Sequence, residues 1–204
     1  MISRGELPSN IILDLNTIFE ESYKLFNENI LDREKRPMLL GRTIYIDEKN
    51  LYDGKANGFW HCSTMGEDDT KFDQDPCEND KTKKYCKYRC NINHSDNFLV
   101  DKKRVPCIYR ADKLLWLSKI IELVNNKELD NIKVWKCKNR DKSKDLKIWY
   151  DDGDISYIII FKISYNEDKN DIKKYVLKTA YPVVLKSYRR RFQREYNENK
   201  FEIK

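Results

Sequence analysis

From Ile132 to Pro182 the chain reads as β-strands in succession, and this run constrains the fold more than any other feature. Ile132 to Lys138 alternates around Val134 and Trp135, and Leu146 to Tyr150 sets Ile148 and Tyr150 on one face. Asp151-Asp152-Gly153-Asp154 is a turn signal between two apolar runs. Ile155 to Ile163 is β-branched and nearly continuous, the pattern of a central strand covered on both faces. Lys173 to Tyr181 is the last strand, and Pro182 stops it because proline has no N–H to give a ladder. These strands are joined by short turns, so they predict an antiparallel sheet of four strands.

Helices are expected on either side. Ser9 or Asn10 can cap a helix running to about Glu34, with Leu15, Ile18, Phe19, Tyr23 and Phe26 at helical spacing. Arg42 to Asp47 reads as a short strand, and Asp53-Gly54 and Asn57-Gly58 punctuate a loop. A second helix spans Arg110 to Asn125, with Leu114, Leu117, Ile120, Ile121 and Val124 on one side. Val183 to Tyr196 fits a terminal basic helix. The fold class is therefore α+β: N-terminal helices packed on a C-terminal antiparallel four-stranded sheet, a Cys-rich inserted loop, and a terminal basic helix. No internal repeat interrupts this order.

Charge is distributed unevenly. The net value is only +6, but Glu67 to Asp80 is acidic, Lys81 to Arg104 is basic, and the last helix carries Arg189, Arg190, Arg191 and Arg194. Two separate basic zones suit a polyanion partner; a solvated surface is the plainer reading. The N-terminus has Arg4 and Glu6 and no apolar leader core, and the apolar run at 155–163 is too short to span a bilayer. The expectation is a cytoplasmic protein with no membrane partner. The six cysteines are then thiols or metal ligands rather than disulfides.

Thr179 and Tyr181 are two apart on a strand, so their hydroxyls share one face. Hydroxyls can donate to a phosphate and guanidinium groups can neutralise it. His61 is one of two histidines, flanked by Phe59 and Trp60, and Tyr109-Arg110 opens the second helix. Metal-independent RNA cleavage needs a group acting on the 2′-hydroxyl, cations or donors for the charged phosphorane, and a donor for the leaving oxygen. These residue types meet those needs. A packed histidine and cross-strand packing of the two hydroxyls are the plainer alternatives.

Five pieces occur in order: Phe59-Trp60-His61, Tyr109-Arg110-Ala111-Asp112-Lys113-Leu114-Leu115-Trp116, Ile132-Lys133-Val134-Trp135, Tyr157-Ile158-Ile159-Ile160, and Thr179-Ala180-Tyr181-Pro182 with the arginines behind it. Together, over about Phe59 to Tyr196, they resemble the phage-associated RelE-like nucleases grouped with barnase, EndoU and the tRNA-cleaving colicins, the BECR-type fold. The resemblance implies residues 1–58 as an N-terminal helical extension with a short strand, and 59–204 as the nuclease domain with a Cys-rich insertion at 67–107. It implies a toxin-type hydrolase, an endoribonuclease cleaving tRNA, mRNA or ribosomal RNA by 2′-hydroxyl attack, with no cofactor for catalysis and an antitoxin or immunity protein as partner. His61 would be the acid/base group, Arg110 would sit on the phosphate, and Thr179 and Tyr181 would donate to the phosphate or leaving oxygen. Such a family places a basic residue after the strand at Trp135, where Lys138 and Arg140 both qualify. RNA would further be gripped by Arg189, Arg190, Arg191 and Arg194.

Cys77, Cys86, Cys90 and His94 are spaced C-x8-C-x3-C-x3-H, and Cys107 follows the basic segment. Thiolates so arranged suit tetrahedral zinc, which would supply folding energy to a loop with few aliphatic residues. The favoured ligands are Cys77, Cys86, Cys90 and Cys107, with His94 in place of Cys107 as the variant set and unligated thiols as the alternative. Cys62 and Cys137 read as packing residues. The rival to an enzyme is a non-catalytic, zinc-stapled RNA- or protein-binding module of phage origin.

Overall fold

The computed structural model describes residues 15–66, 104–107, 110–111, 113–168, 171–183 and 185–201. Cys77, Cys86, Cys90, His94 and Tyr109 lie outside the described residues. Helix α1 is Leu15–Phe26, continued by a π-helical turn at Asn27–Leu31. The carbonyls of Ile30 and Leu31 at that turn's end accept from Arg36 Nε at 2.9 Å and Nη2 at 2.6 Å, which satisfies acceptors the helix leaves open.

Short strands β1 (Ile44–Tyr45), β2 (Leu51–Tyr52) and β3 (Lys55–Ala56) precede helix α2, Asn57–Ser63. Strands β4 (Thr64–Gly66) and β5 (Arg104–Pro106) pair antiparallel. Helix α3, Trp116–Asn125, is followed by β6 (Ile132–Lys138), β7 (Lys144–Asp151), β8 (Ser156–Tyr165), β9 (Ile172–Pro182) and helix α4 (Lys186–Glu198).

The class is α+β, with a sheet in the order β1-β9-β8-β7-β6. The last four strands are antiparallel, as the short turns require. The expectation of four strands is corrected by β1, which adds a fifth and pairs parallel to β9 through Ile44 with Tyr175 and Tyr45 with Val176. Two residues so distant in sequence from their partner carry no pattern that could reveal the pairing.

Alternation along each strand builds two cores. Val134, Ile148, Ile159 and Leu177 join Phe19, Phe59, Leu117, Ile120 and Ile121 on one side. Trp135, Trp149 and Ile158 join Val183 and Phe192 on the other. The sheet thus lies between the first three helices and α4, and β8 is buried on both faces, as its unbroken apolar run predicts.

The N-terminal packing differs in detail from expectation. Phe19, Tyr23 and Phe26 of α1 set their rings 6.2, 5.0 and 5.7 Å from Phe59 of α2, and α2 is the helix set against β9. One core therefore runs across the boundary at 58/59. The second helix begins at Trp116, later than its apolar pattern suggests. Arg110 and Ala111 are helical, with Ala111 N–H donating to Cys107 O at 3.0 Å, and turns at Lys113 to Leu115, with Lys113 N–H donating to Arg110 O at 3.2 Å and Trp116 N–H to Lys113 O at 3.1 Å, lead into the helix. Among the described residues, no helix is long and apolar enough to cross a membrane.

Candidate functional site

Helix α2 forms where the sequence reads as a loop. Its first N–H groups are satisfied by the preceding segment: Asn57 N–H donates to Asn50 O at 2.8 Å and Gly58 N–H to Asp47 O at 2.9 Å. Asn57 Nδ2 adds a bond to Asp47 Oδ2 at 2.8 Å. Gly58 is required by proximity, since a Cβ there would stand 2.4 Å from Ile46 Cγ2. This close seat fixes α2 and puts His61 in its last turn.

The outer edge of β9 pairs with β1 at Tyr175 and Val176, and α2 flanks the strand beyond. Lys178 is the extra residue of a bulge, because Ile160 pairs with Thr179 while Phe161 pairs with Leu177. Just past the bulge, Thr179 Oγ1 donates to the His61 carbonyl at 2.8 Å. Tyr181 lies across from Ile158 and belongs with the core under α4, and the Arg110 guanidinium stands over its ring at 4.5 Å.

Thr64 joins the arginines to α2. Its Oγ1 donates to Trp60 O at 2.5 Å. Arg110 Nη1 donates to Thr64 O at 2.6 Å. Arg104 Nε donates to Thr64 Oγ1 at 2.6 Å and its Nη2 to Thr64 O at 3.3 Å. Two guanidinium groups therefore meet at one carbonyl oxygen. Arg104 and Asp47 are the members that motif reading did not single out for the site. Their place follows from the β4–β5 pairing and from the α2 seat, neither of which has a local sequence signal.

The imidazole of His61 is half-buried. Burial first, then the Arg104 charge, hold its pKa below the ordinary histidine value, and the Asp47 carboxylate opposes them. The ring is thus neutral at pH 7 and able to accept a proton. Burial pushes the neighbouring Cys62 thiol up to about 12, so it is no nucleophile at neutral pH. The buried Tyr157 phenol is also raised well above its ordinary value by burial.

His61, Arg110, Thr179 and Tyr181 are thus gathered at one edge of the sheet. Lys138 and Arg140 are not with them. Lys138 ends β6, three strands and about 14 Å across from β9, and about 17 Å along from Lys133, which shares the cross-strand row of Tyr181. Arg140 lies in the turn beyond it. The α4 arginines differ among themselves. Arg189 donates to Val183 O at 3.3 Å and Gly153 O at 3.2 Å, and Arg191 pairs with Glu195 at 3.5 Å and stacks on Tyr188. Arg190 and Arg194 line an open groove with Trp149.

Cys107 is buried, and its N–H donates to Ser63 O at 3.0 Å. Among the described residues no group of three or more His, Cys, Asp or Glu could hold a metal ion. No family model, curated protein or solved structure matches the chain.

Proposed function

We propose that the chain is a metal-independent endoribonuclease of toxin type, with its reaction centre at the outer edge of β9. The observation that carries the proposal is a chain of contacts from three parts of the sequence: Arg104, whose charge acts on the half-buried His61 imidazole, shares the Thr64 carbonyl with Arg110, and Arg110 stands over the Tyr181 ring. His61 takes the proton from a 2′-hydroxyl as that oxygen attacks the adjoining phosphorus. Arg110 and Arg104 stabilise the charge that gathers on the phosphorane oxygens. The bond from phosphorus to the 5′-oxygen breaks, and Tyr181 gives that oxygen its proton. The products are a 2′,3′-cyclic phosphate and a free 5′-hydroxyl. Imidazolium and phenolate then exchange a proton through water, restoring both groups.

Thr179 takes a different part from the one its residue type suggests. Its single proton is directed at the His61 carbonyl, so it positions α2 rather than donating to phosphate. A structural zinc on Cys77, Cys86, Cys90 and Cys107 belongs to this proposal as a fold element with no part in the chemistry.

The bonds that both arginines make to Thr64 favour a second reading, a module that binds RNA without cleaving it. An RNA oligonucleotide carrying 2′-deoxy sugars at chosen positions separates the two. A nuclease of the proposed kind cleaves the all-ribose strand, leaves a cyclic phosphate, and spares each bond that follows a deoxy sugar. A binding module holds both strands and cleaves neither.

A further inference from the structure

Outside the β9 edge, an open groove of about 520 Å³ lies between α4 and the sheet. It is lined by Trp149, Arg189, Arg190, Gln193, Arg194, Asn197 and Glu198. Arg190 and Arg194 are four apart on one helix face, both are exposed, and neither has an ion-pair partner among the described residues. Lys133 sets its ammonium 4.5 Å from the centre of the Trp149 ring, beside the groove.

The rest of the lining argues against a site for a bare anion. Gln193 Nε2 donates to Asn197 Oδ1 at 2.9 Å. That bond leaves the Gln193 carbonyl as an acceptor and the Asn197 amide hydrogens as donors. Glu198 adds a carboxylate that repels phosphate but accepts from an amino group. Cations beside a mixed set of donors and acceptors match a nucleotide, which joins an anionic phosphodiester to a base edge with both kinds of group.

We propose that this groove is a subsite for one nucleotide of a single-stranded RNA, with Arg190 and Arg194 on its phosphates and Gln193, Asn197 and Glu198 on its base. This rests on the nuclease reading for the identity of the strand's other contacts. A single strand fits because an A-form duplex hides its major-groove base edges in a deep, narrow groove and occupies its Watson–Crick edges by pairing. Trp149, Ile158 and Tyr181 are cross-strand neighbours, so the groove floor lies about 10 Å from the reaction edge. At about 3.4 Å per stacked nucleotide, roughly three nucleotides join the two. The four α4 arginines therefore divide into two that hold the fold, Arg189 and Arg191, and two that hold the strand.

The test uses full-length protein and a 12-nucleotide single-stranded RNA made non-cleavable by 2′-O-methyl groups, with binding read by fluorescence anisotropy across a salt series. The double variant Arg190→Ala/Arg194→Ala should lose roughly tenfold in affinity at about 0.1 M salt, and its salt slope should fall by about 1.4, the value for two lost contacts to a single strand. Arg191→Gln should bind like wild type, and a duplex of the same sequence should not discriminate between wild type and the double variant. Wild-type affinity and slope in the double variant would overturn the subsite, as would failure of the wild type to bind. Cleavage of an unmodified strand is scored separately. If binding falls as stated while no protein cleaves, the subsite stands and the nuclease reading fails. If wild type cleaves and the double variant binds and cleaves equally well, the reverse holds.

Discussion

Thr179 and His61 are 118 residues apart, and one hydrogen bond of 2.8 Å from the threonine hydroxyl to the histidine carbonyl ties strand β9 to helix α2. It sits one residue past the bulge at Lys178, which gives the strand edge its local twist. Together with the Arg110 bond to Thr64 O, it holds the end of α2 that carries His61 beside the Tyr181–Arg110 pair.

Thr179→Val keeps the shape and removes the bond. It should lower unfolding free energy by about 1 kcal/mol, the net value of an intramolecular hydrogen bond. If Thr179 positions the site, kcat falls while RNA affinity is unchanged, and Thr179→Ser restores both. Urea denaturation and steady-state kinetics on the three proteins check this. Unchanged kcat in a destabilised Thr179→Val would reduce the bond to a structural one.

His61 should titrate below the ordinary histidine value in the folded protein, as read by NMR of its ring protons. Arg104→Gln should raise that value and Asp47→Asn should lower it, since the first removes a like charge and the second an attractive one. The unfolded chain then binds more protons than the folded one just below pH 6.5. Stability from this group is present above the unfolded pKa and is lost as pH falls through the depressed folded one. His61→Gln should flatten that part of the stability curve.

Gly58 lies inside a helix, where propensity alone makes alanine better by about 1 kcal/mol. The seat against Ile46 reverses the sign, because the new Cβ would stand 2.4 Å from Cγ2. Overpacking of this kind costs about 1–3 kcal/mol. Gly58→Ala should therefore lower Tm, and scanning calorimetry reads the direction without ambiguity.

Asp145 is buried on β7, with Oδ2 accepting from Lys178 at 2.9 Å and Oδ1 without a partner among the described residues. Lys178→Met should destabilise by about 1–3 kcal/mol, the cost of leaving a buried polar group unmet. Removing the carboxylate as well, in Lys178→Met/Asp145→Leu, should recover part of the loss. A double-mutant cycle by urea denaturation measures the coupling, and additive losses would contradict it.

The sheet core was legible from Ile132 onward because β-branched runs between short turns leave few alternatives. The apolar face of α3 was legible for the same reason: Leu117, Ile120, Ile121 and Val124 recur at helical spacing and are all buried. Helix α2 was not, since Asn57-Gly58 has the composition of a turn and its start is completed by Asp47 and Asn50. The parallel strand β1 and the convergence of Arg104 and Arg110 on Thr64 are long-range pairings, which residue type and spacing do not encode. His61, Arg110, Thr179 and Tyr181 could be singled out by chemistry, but their mutual contacts depend on those pairings. Lys138 and Arg140 stand apart from that group, at the far end of β6 and in the turn after it.

The most direct measurement incubates wild type and His61→Ala, matched for folding by circular dichroism, with total tRNA and with mRNA in EDTA. Cleavage is expected of wild type alone, with 2′,3′-cyclic phosphate ends and equal RNA affinity for both proteins. Equal cleavage by His61→Ala, or a folded wild type that binds RNA and leaves it intact, would contradict it.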